Sequence, residues 1–152
     1  MNKWMKIAYN EAVKSLSNMD GGPFGAVIVR NEKIIATGRN EVLLNNDPTA
    51  HAEVNAIRKA SKILKRFDLK DCTLYTTCFP CPMCIGAIFW ARIPIVYYGA
   101  TEDDASHGGF DDKIFYKMIK KKNRYAILHQ IDHKKNAKLF DKWNNLKNKK
   151  IY

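Results

Sequence analysis

Apolar residues recur at spacings of three and four near the start of the chain. Met5, Ala8, Ala12 and Leu16 fall on one stripe, while Lys3, Lys6, Glu11 and Lys14 lie off it. That period predicts an amphipathic helix over 3–18. Asp20-Gly21-Gly22-Pro23 ends it, because glycine accepts left-handed dihedrals and proline cannot continue the ladder. Two β-type runs follow, Phe24-Gly-Ala-Val-Ile-Val29 and Lys33-Ile-Ile-Ala-Thr37, and the polar Arg30-Asn31-Glu32 between them makes a hairpin.

Asn45-Asn46-Asp47-Pro48-Thr49 reads as a turn leading into a second helix, from 49 or 50 to about 66, with Val54, Ile57, Ala60, Ile63 and Leu64 on its buried face. Residues 73–77 form a short strand and 82–92 a mostly apolar helix. Residues 95–100 form a β run without polar alternation, which predicts a strand covered on both sides. The glycines and acids of 101–112 read as a long loop. A helix near 113–122, a fifth strand at 125–131 and a last helix at 136–148 complete the chain. The order is α-β-β-α-β-α-β, an α/β fold with helices on both faces of a mixed sheet. No repeat and no linker divides it, so 1–152 read as a single domain.

With 152 residues the chain is long enough to bury its own core, and 46% hydrophobic content is a globular value. No apolar run approaches the roughly 18 residues of a membrane span. The N-terminus has no export-signal pattern, and the expected compartment is the cytoplasm. The net charge of +11 is unevenly placed. Residues 1–112 carry 13 charges of each sign, so the whole excess lies in 113–152. Such a segment can attract phosphates. It lacks the aromatic interleaving of single-strand platforms, and solvated lysine faces explain it more simply.

Two stretches carry chemistry: His51-Ala52-Glu53 and Pro80-Cys81-Pro82-Met83-Cys84. One imidazole and two thiols at C-x-x-C spacing supply three zinc ligands, and a catalytic zinc keeps its fourth position for water, whose pKa falls to about 7. The cysteines, three apart at a helix start, project from one face, where the helix dipole favours thiolate. Glu53 beside them has the chemistry of a proton carrier, in the order H-x-E then P-C-x-x-C that marks zinc-dependent deaminases. An ideal helix would turn Glu53 almost opposite His51, so the pairing requires a first-turn geometry. A site of four cysteines, using Cys72 and Cys78, leaves the histidine and glutamate unexplained. Those two read instead as reduced structural residues. His107, His129 and His133 have no ligand spacing, and Trp90 reads equally as core or as the rim of a flat pocket.

These motifs resemble the cytidine deaminase superfamily, and within it most closely the bacterial guanine deaminases. The resemblance rests on Pro23-Phe-Gly-Ala-Val-Ile-Val29, Asn46-Asp-Pro-Thr-Ala-His-Ala-Glu53, Tyr75-Thr-Thr-Cys78, Pro80-Cys-Pro-Met-Cys84 and Trp90-Ala-Arg92. Most of these are shared with tRNA adenosine deaminases. Gly109-Phe-Asp-Asp-Lys-Ile-Phe-Tyr116 and Asn148-Lys-Lys-Ile-Tyr152 look like guanine deaminase in particular. Phe79 departs from the glutamate usual before the Pro-Cys. The resemblance implies a three-layer αβα fold with a five-stranded mixed sheet. It also implies one Zn2+ per subunit on His51, Cys81 and Cys84, and Glu53 and Asp112 as catalytic acids. Asn40, Phe24, Ala52, Trp90 and Asp112 would surround a purine base, together with Tyr152 from the partner of a homodimer whose 123–152 segments are exchanged. Asp112 has independent support, because guanine presents adjacent N1–H and N2–H2 donors to a carboxylate. A helix N-cap role for Asp111 and Asp112 is the plainer reading, and it suits Asp111 best.

The expected activity is hydrolysis of guanine to xanthine and ammonia. A guanosine deaminase, a tRNA adenosine deaminase using the basic segment, and a non-enzymatic RNA-binding module with a structural zinc remain as competing readings.

Overall fold

The computed structural model describes residues 1–110, 112–120, 133–145 and 147. The chain divides into two compact units, Met1–Lys113 and Ile114–Tyr152.

The first unit begins with α1, Lys3–Ser17, whose N-cap Asn2 accepts the backbone N–H groups of Trp4 and Met5. The helix stops at Asn18, and Met19 then takes a left-handed φ of 58°. Next comes the hairpin of β1, Gly25–Arg30, and β2, Lys33–Arg39. Asn31 and Glu32 turn the chain with φ of 48° and 58°, and two left-handed residues in a row match the twist of the flanking strands. A short helix α2, Val42–Asn45, leads to α3, Ala52–Leu64. Then follow β3, Thr73–Cys78, α4, Pro82–Trp90, and β4, Ile95–Ala100.

The described sheet has the order β2-β1-β3-β4, with β1 antiparallel to both neighbours and β3 parallel to β4. Alternation along β1 serves two cores. Val27 and Val29 pack with Ala8 of α1, while Ala26 and Ile28 face Ala52, Ala56 and Ala60 of α3 and Ile88 of α4. Helices therefore cover both faces, as the sequence order requires. Gly38 lets α3 settle onto the sheet, since a Cβ there would lie 2.1 Å from the Ala52 carbonyl oxygen.

Several expectations need correction. The β4 run is not covered on both sides: Ile95, Tyr97 and Tyr98 are each about half exposed. Among the described residues β4 has a single strand neighbour, β3, and its tyrosines are held by rings, Tyr97 stacked on Tyr75 and Tyr98 edge-on to Phe79. The acidic stretch after residue 100 is a helix, α5, Glu102–His107, and not a loop. Thr101 and Asp104 form a reciprocal capping box that satisfies its first N–H groups. The expected fifth strand at 125–131 lies outside the described residues, so the described sheet has four strands.

A further helix, α6, spans Lys113–Lys120, and the second unit holds α7, His133–Asn144. The helix expected at 136–148 thus begins three residues earlier. Its Leu139 and Phe140 are exposed. Among the described residues no helix is long and apolar enough to cross a membrane.

Candidate active site

Two helix starts converge in the first unit. His51 is the N-cap of α3, with extended dihedrals of −71° and 157°, and Glu53 is the second residue inside the helix. Because the histidine stands outside the helical spiral, the 100°-per-residue rotation does not separate the pair. The first-turn requirement is met in that way. Cys81 is likewise the extended N-cap of α4, with Pro82 next and Cys84 third in the helix. An N-cap and the third residue face each other, as in a capping box, so the two sulfurs meet on one side. Proline suits the first turn, where its missing N–H would have had no partner.

Nδ1 of His51 lies 3.6 Å from Sγ of Cys81 and 3.6 Å from Sγ of Cys84. The three ligand atoms all fall within 4.8 Å of one another, and they are the one such group of three among the described residues. Tetrahedral zinc, with bonds of about 2.05 Å to nitrogen and 2.3 Å to sulfur, sets nitrogen and sulfur about 3.6 Å apart. The donor set and its spacing both fit the ion. Cys72 takes no part, being buried in the α3-side core, and Cys78 bonds the Thr101 carbonyl instead. All four cysteines are free thiols.

Electrostatics sharpen the fit. The hydrogen bond from Cys84, followed by that from His51, holds the Cys81 thiol down at about 4. Cys84 is pushed far up by the same bond and by burial. The sulfurs thus compete for one proton, and a divalent cation would let both ligate as thiolates. The bond to Cys81 raises the His51 imidazole. Glu53 is 4% exposed, and burial raises its carboxyl above the ordinary range. Oε1 accepts the Thr76 hydroxyl at 2.7 Å, and Oε2 lies 3.4 Å from Cys84 Sγ.

Beside these groups opens a cavity of about 650 Å3. The structure brings Phe24, Asn40, His51, Glu53, Cys81 and Asp112 together on its walls. Asp112 is half-buried, and its carboxyl is raised first by burial and then by the Cys81 charge. Ala52 is fully buried and Trp90 is 62% exposed, and neither lines the cavity. Tyr152 lies outside the described residues. Phe110 was missed by the sequence reading. It lines the cavity and meets Phe24 edge-on with ring centroids 4.9 Å apart. Its position after Gly108-Gly109, at the end of an acidic helix read as a loop, gave no apolar pattern to find it by.

Comparison with known proteins agrees with this arrangement. The cytidine and deoxycytidylate deaminase zinc-binding region matches residues 1–100. The chain is 49% identical to guanine deaminase from Bacillus subtilis over 98% of its own length and 97% of that protein's. The X-ray structure of that enzyme superposes with a TM-score of 0.94, covering 100% of this chain and 99% of the other. A tRNA-specific adenosine deaminase from Buchnera aphidicola is 42% identical over 97% of this chain and 95% of its own length. The matched zinc-binding region and the His51, Cys81 and Cys84 donors found within it make the chain a member of the cytidine and deoxycytidylate deaminase family.

Proposed function

We propose that this chain is a zinc-dependent guanine deaminase that converts guanine and water to xanthine and ammonia. One observation carries the reading. A buried carboxylate, Glu53, stands against the His51, Cys81 and Cys84 donors in a cavity that also holds Asn40 and Asp112. The choice of guanine rests on the full-length likeness to the Bacillus subtilis enzyme.

When bound on His51, Cys81 and Cys84, zinc supplies the Lewis acidity that makes water a competent nucleophile at neutral pH. Glu53 takes one proton from the attacking water and passes it to the ring nitrogen, then carries that water's second proton from the added hydroxyl to the departing amine as the C–N bond breaks and the carbonyl forms. Burial raises its carboxyl and so suits it to hold that proton between steps. Thr76 fixes one carboxylate oxygen and leaves the other to act. Asp112 accepts the adjacent N1–H and N2–H2 groups of the base and Asn40 contacts its other edge, so the amine is aligned for departure. Phe24 and Phe110 supply flat apolar walls against which a purine can lie.

Two further features belong to the reading. Residues 123–152 are exchanged between the subunits of a homodimer, which brings the partner's Tyr152 to the base. The exposed side chains of Leu16 and Leu43 on the cavity wall, and of Leu139 and Phe140 on α7, support cover by a second chain. The protein works in the cytoplasm, in keeping with its four free thiols.

The competing tRNA adenosine deaminase reading draws on the Buchnera relative and on the basic charge of 113–152. Ammonia release from guanine, guanosine, adenine, cytosine and tRNA, measured side by side with zinc-loaded protein, separates the readings. Guanine is the expected substrate. Inosine formation in tRNA, lost steeply with added salt, would transfer the assignment to the nucleic-acid enzyme.

A further inference from the structure

We propose that Ser15, on α1, is a positioning residue for substrate recognition: its hydroxyl fixes Asn40 so that the amide Nδ2 is the polar group Asn40 presents to the cavity. The inference rests on the guanine reading, in which Asn40 holds the base.

The case comes from accounting for each polar group of Asn40. Its N–H donates to the Phe24 carbonyl at 3.0 Å. Its carbonyl accepts the Ser15 hydroxyl at 2.7 Å. Its side-chain Oδ1 accepts the Val42 N–H at 3.2 Å. Nδ2 is left, and among the described residues no group takes it up. A rotated amide would set Nδ2 against the Val42 N–H, donor against donor, so the orientation is forced by chemistry. Asn40 is 4% exposed and lines the cavity. Its free donor is therefore available to an acceptor on the ligand.

Ser15 controls this arrangement from outside the site. It is fully buried, and its one hydroxyl serves two carbonyls, Asn40 at 2.7 Å and Gly22 at 2.9 Å. It thus ties two cavity walls, the Gly21-Gly22 turn and the Asn40 segment, to one helix. The same turn closes on the amide from the other side, since a Cβ on Gly21 would lie 2.0 Å from Asn40 Oδ1. The hydroxyl thus holds the Asn40 backbone, while the Val42 N–H and the close approach of Gly21 hold the amide.

The test is a double-mutant cycle on steady-state guanine deamination, with zinc content measured alongside. Ser15→Ala is expected to raise KM about ten-fold, as loss of a buried hydrogen bond does, with kcat changed less than about three-fold and zinc still bound. In an Asn40→Ala background the same substitution should change KM by less than about two-fold, because Ser15 acts through Asn40. Gly21→Ala provides a second route should Ser15→Ala fail to fold. It should raise KM alone and lose most of its effect when Asn40 is alanine, since the side-chain clash is gone and only a 3.2 Å approach to the backbone carbonyl remains. An unchanged KM in the single variants, or equal factors in both backgrounds, would overturn the role of Ser15 while leaving the proposed function intact. A wild-type protein that releases no ammonia from guanine would overturn both.

Discussion

The hydroxyl of Thr76 donates to Oε1 of Glu53 across 2.7 Å, with both residues sealed from solvent. Thr76 reaches it because alternate residues of β3 share a face: Leu74 enters the α3-side core, and Thr76 points the same way two residues on. Thr76→Val keeps the shape and removes the donor. Turnover of guanine should fall roughly ten-fold while KM and zinc content stay near wild type. Unaltered kcat would mean that Glu53 does not depend on this bond for its aim.

The proton-transfer role proposed for Glu53 can be separated from metal binding. The glutamate is not one of the three ligand donors, so Glu53→Gln should keep its zinc. Turnover should drop by about two to four orders of magnitude, the usual scale for losing a general acid–base group. His51→Ala should fail differently, losing zinc and activity together and melting earlier, because bound metal stabilises only the folded chain. Metal analysis and ammonia release on the two variants distinguish them. A Glu53→Gln variant that turns over guanine at a substantial rate would remove the glutamate from the mechanism.

What the sequence made legible follows from local period and spacing. The helix of α1, the hairpin and the strands at Thr73–Cys78 and Ile95–Ala100 each have a pattern that one neighbourhood decides. The His51/Glu53 conflict was posed correctly but could be resolved only by knowing that the histidine is an N-cap. Thr101-Glu-Asp-Asp104 carried the capping-box spacing in plain view, yet glycines nearby suggested a loop. Other features depend on distant partners. Glu11 and Ser15 are buried although polar, because Lys14 and Arg39 meet the first and the Gly22 and Asn40 carbonyls meet the second. Leu16, the last residue of the apolar stripe of α1, stands at the cavity wall, 54% exposed. Period reads chemistry type, and hydrogen bonds between residues far apart in the chain are invisible to it.

Close approach of backbones gives a stability prediction. With Gly38 replaced by alanine, the new methyl would press on the Ala52 carbonyl 2.1 Å away and on Ala56. The start of α3 would have to lift, taking His51 with it. Gly38→Ala should lower stability by about 1–3 kcal/mol, the usual cost of overpacking, and weaken zinc retention in competition with a chelator. Denaturant unfolding and a zinc-transfer titration measure the two effects. A loss of stability with unaltered metal affinity would show that β2 does not govern the position of His51.

The proposed exchange of the C-terminal segment can be tested by mixing two inactive proteins. One carries Glu53→Gln with its terminus intact; the other keeps Glu53 but lacks residues 148–152. If Tyr152 serves the partner's cavity, each protein alone should turn over guanine poorly. Dissociated and reassembled at equal amounts, half of the dimers become mixed. Each mixed dimer then has one complete site, Glu53 from the truncated chain and Tyr152 from the other. About a quarter of all sites should recover, and activity should rise with the mixing ratio as mixed dimers do. If Tyr152 instead serves its own chain, no mixed dimer has a complete site, because the chain with the tyrosine has lost its carboxylate. Full activity in the truncated protein alone would remove Tyr152 from the site in either arrangement.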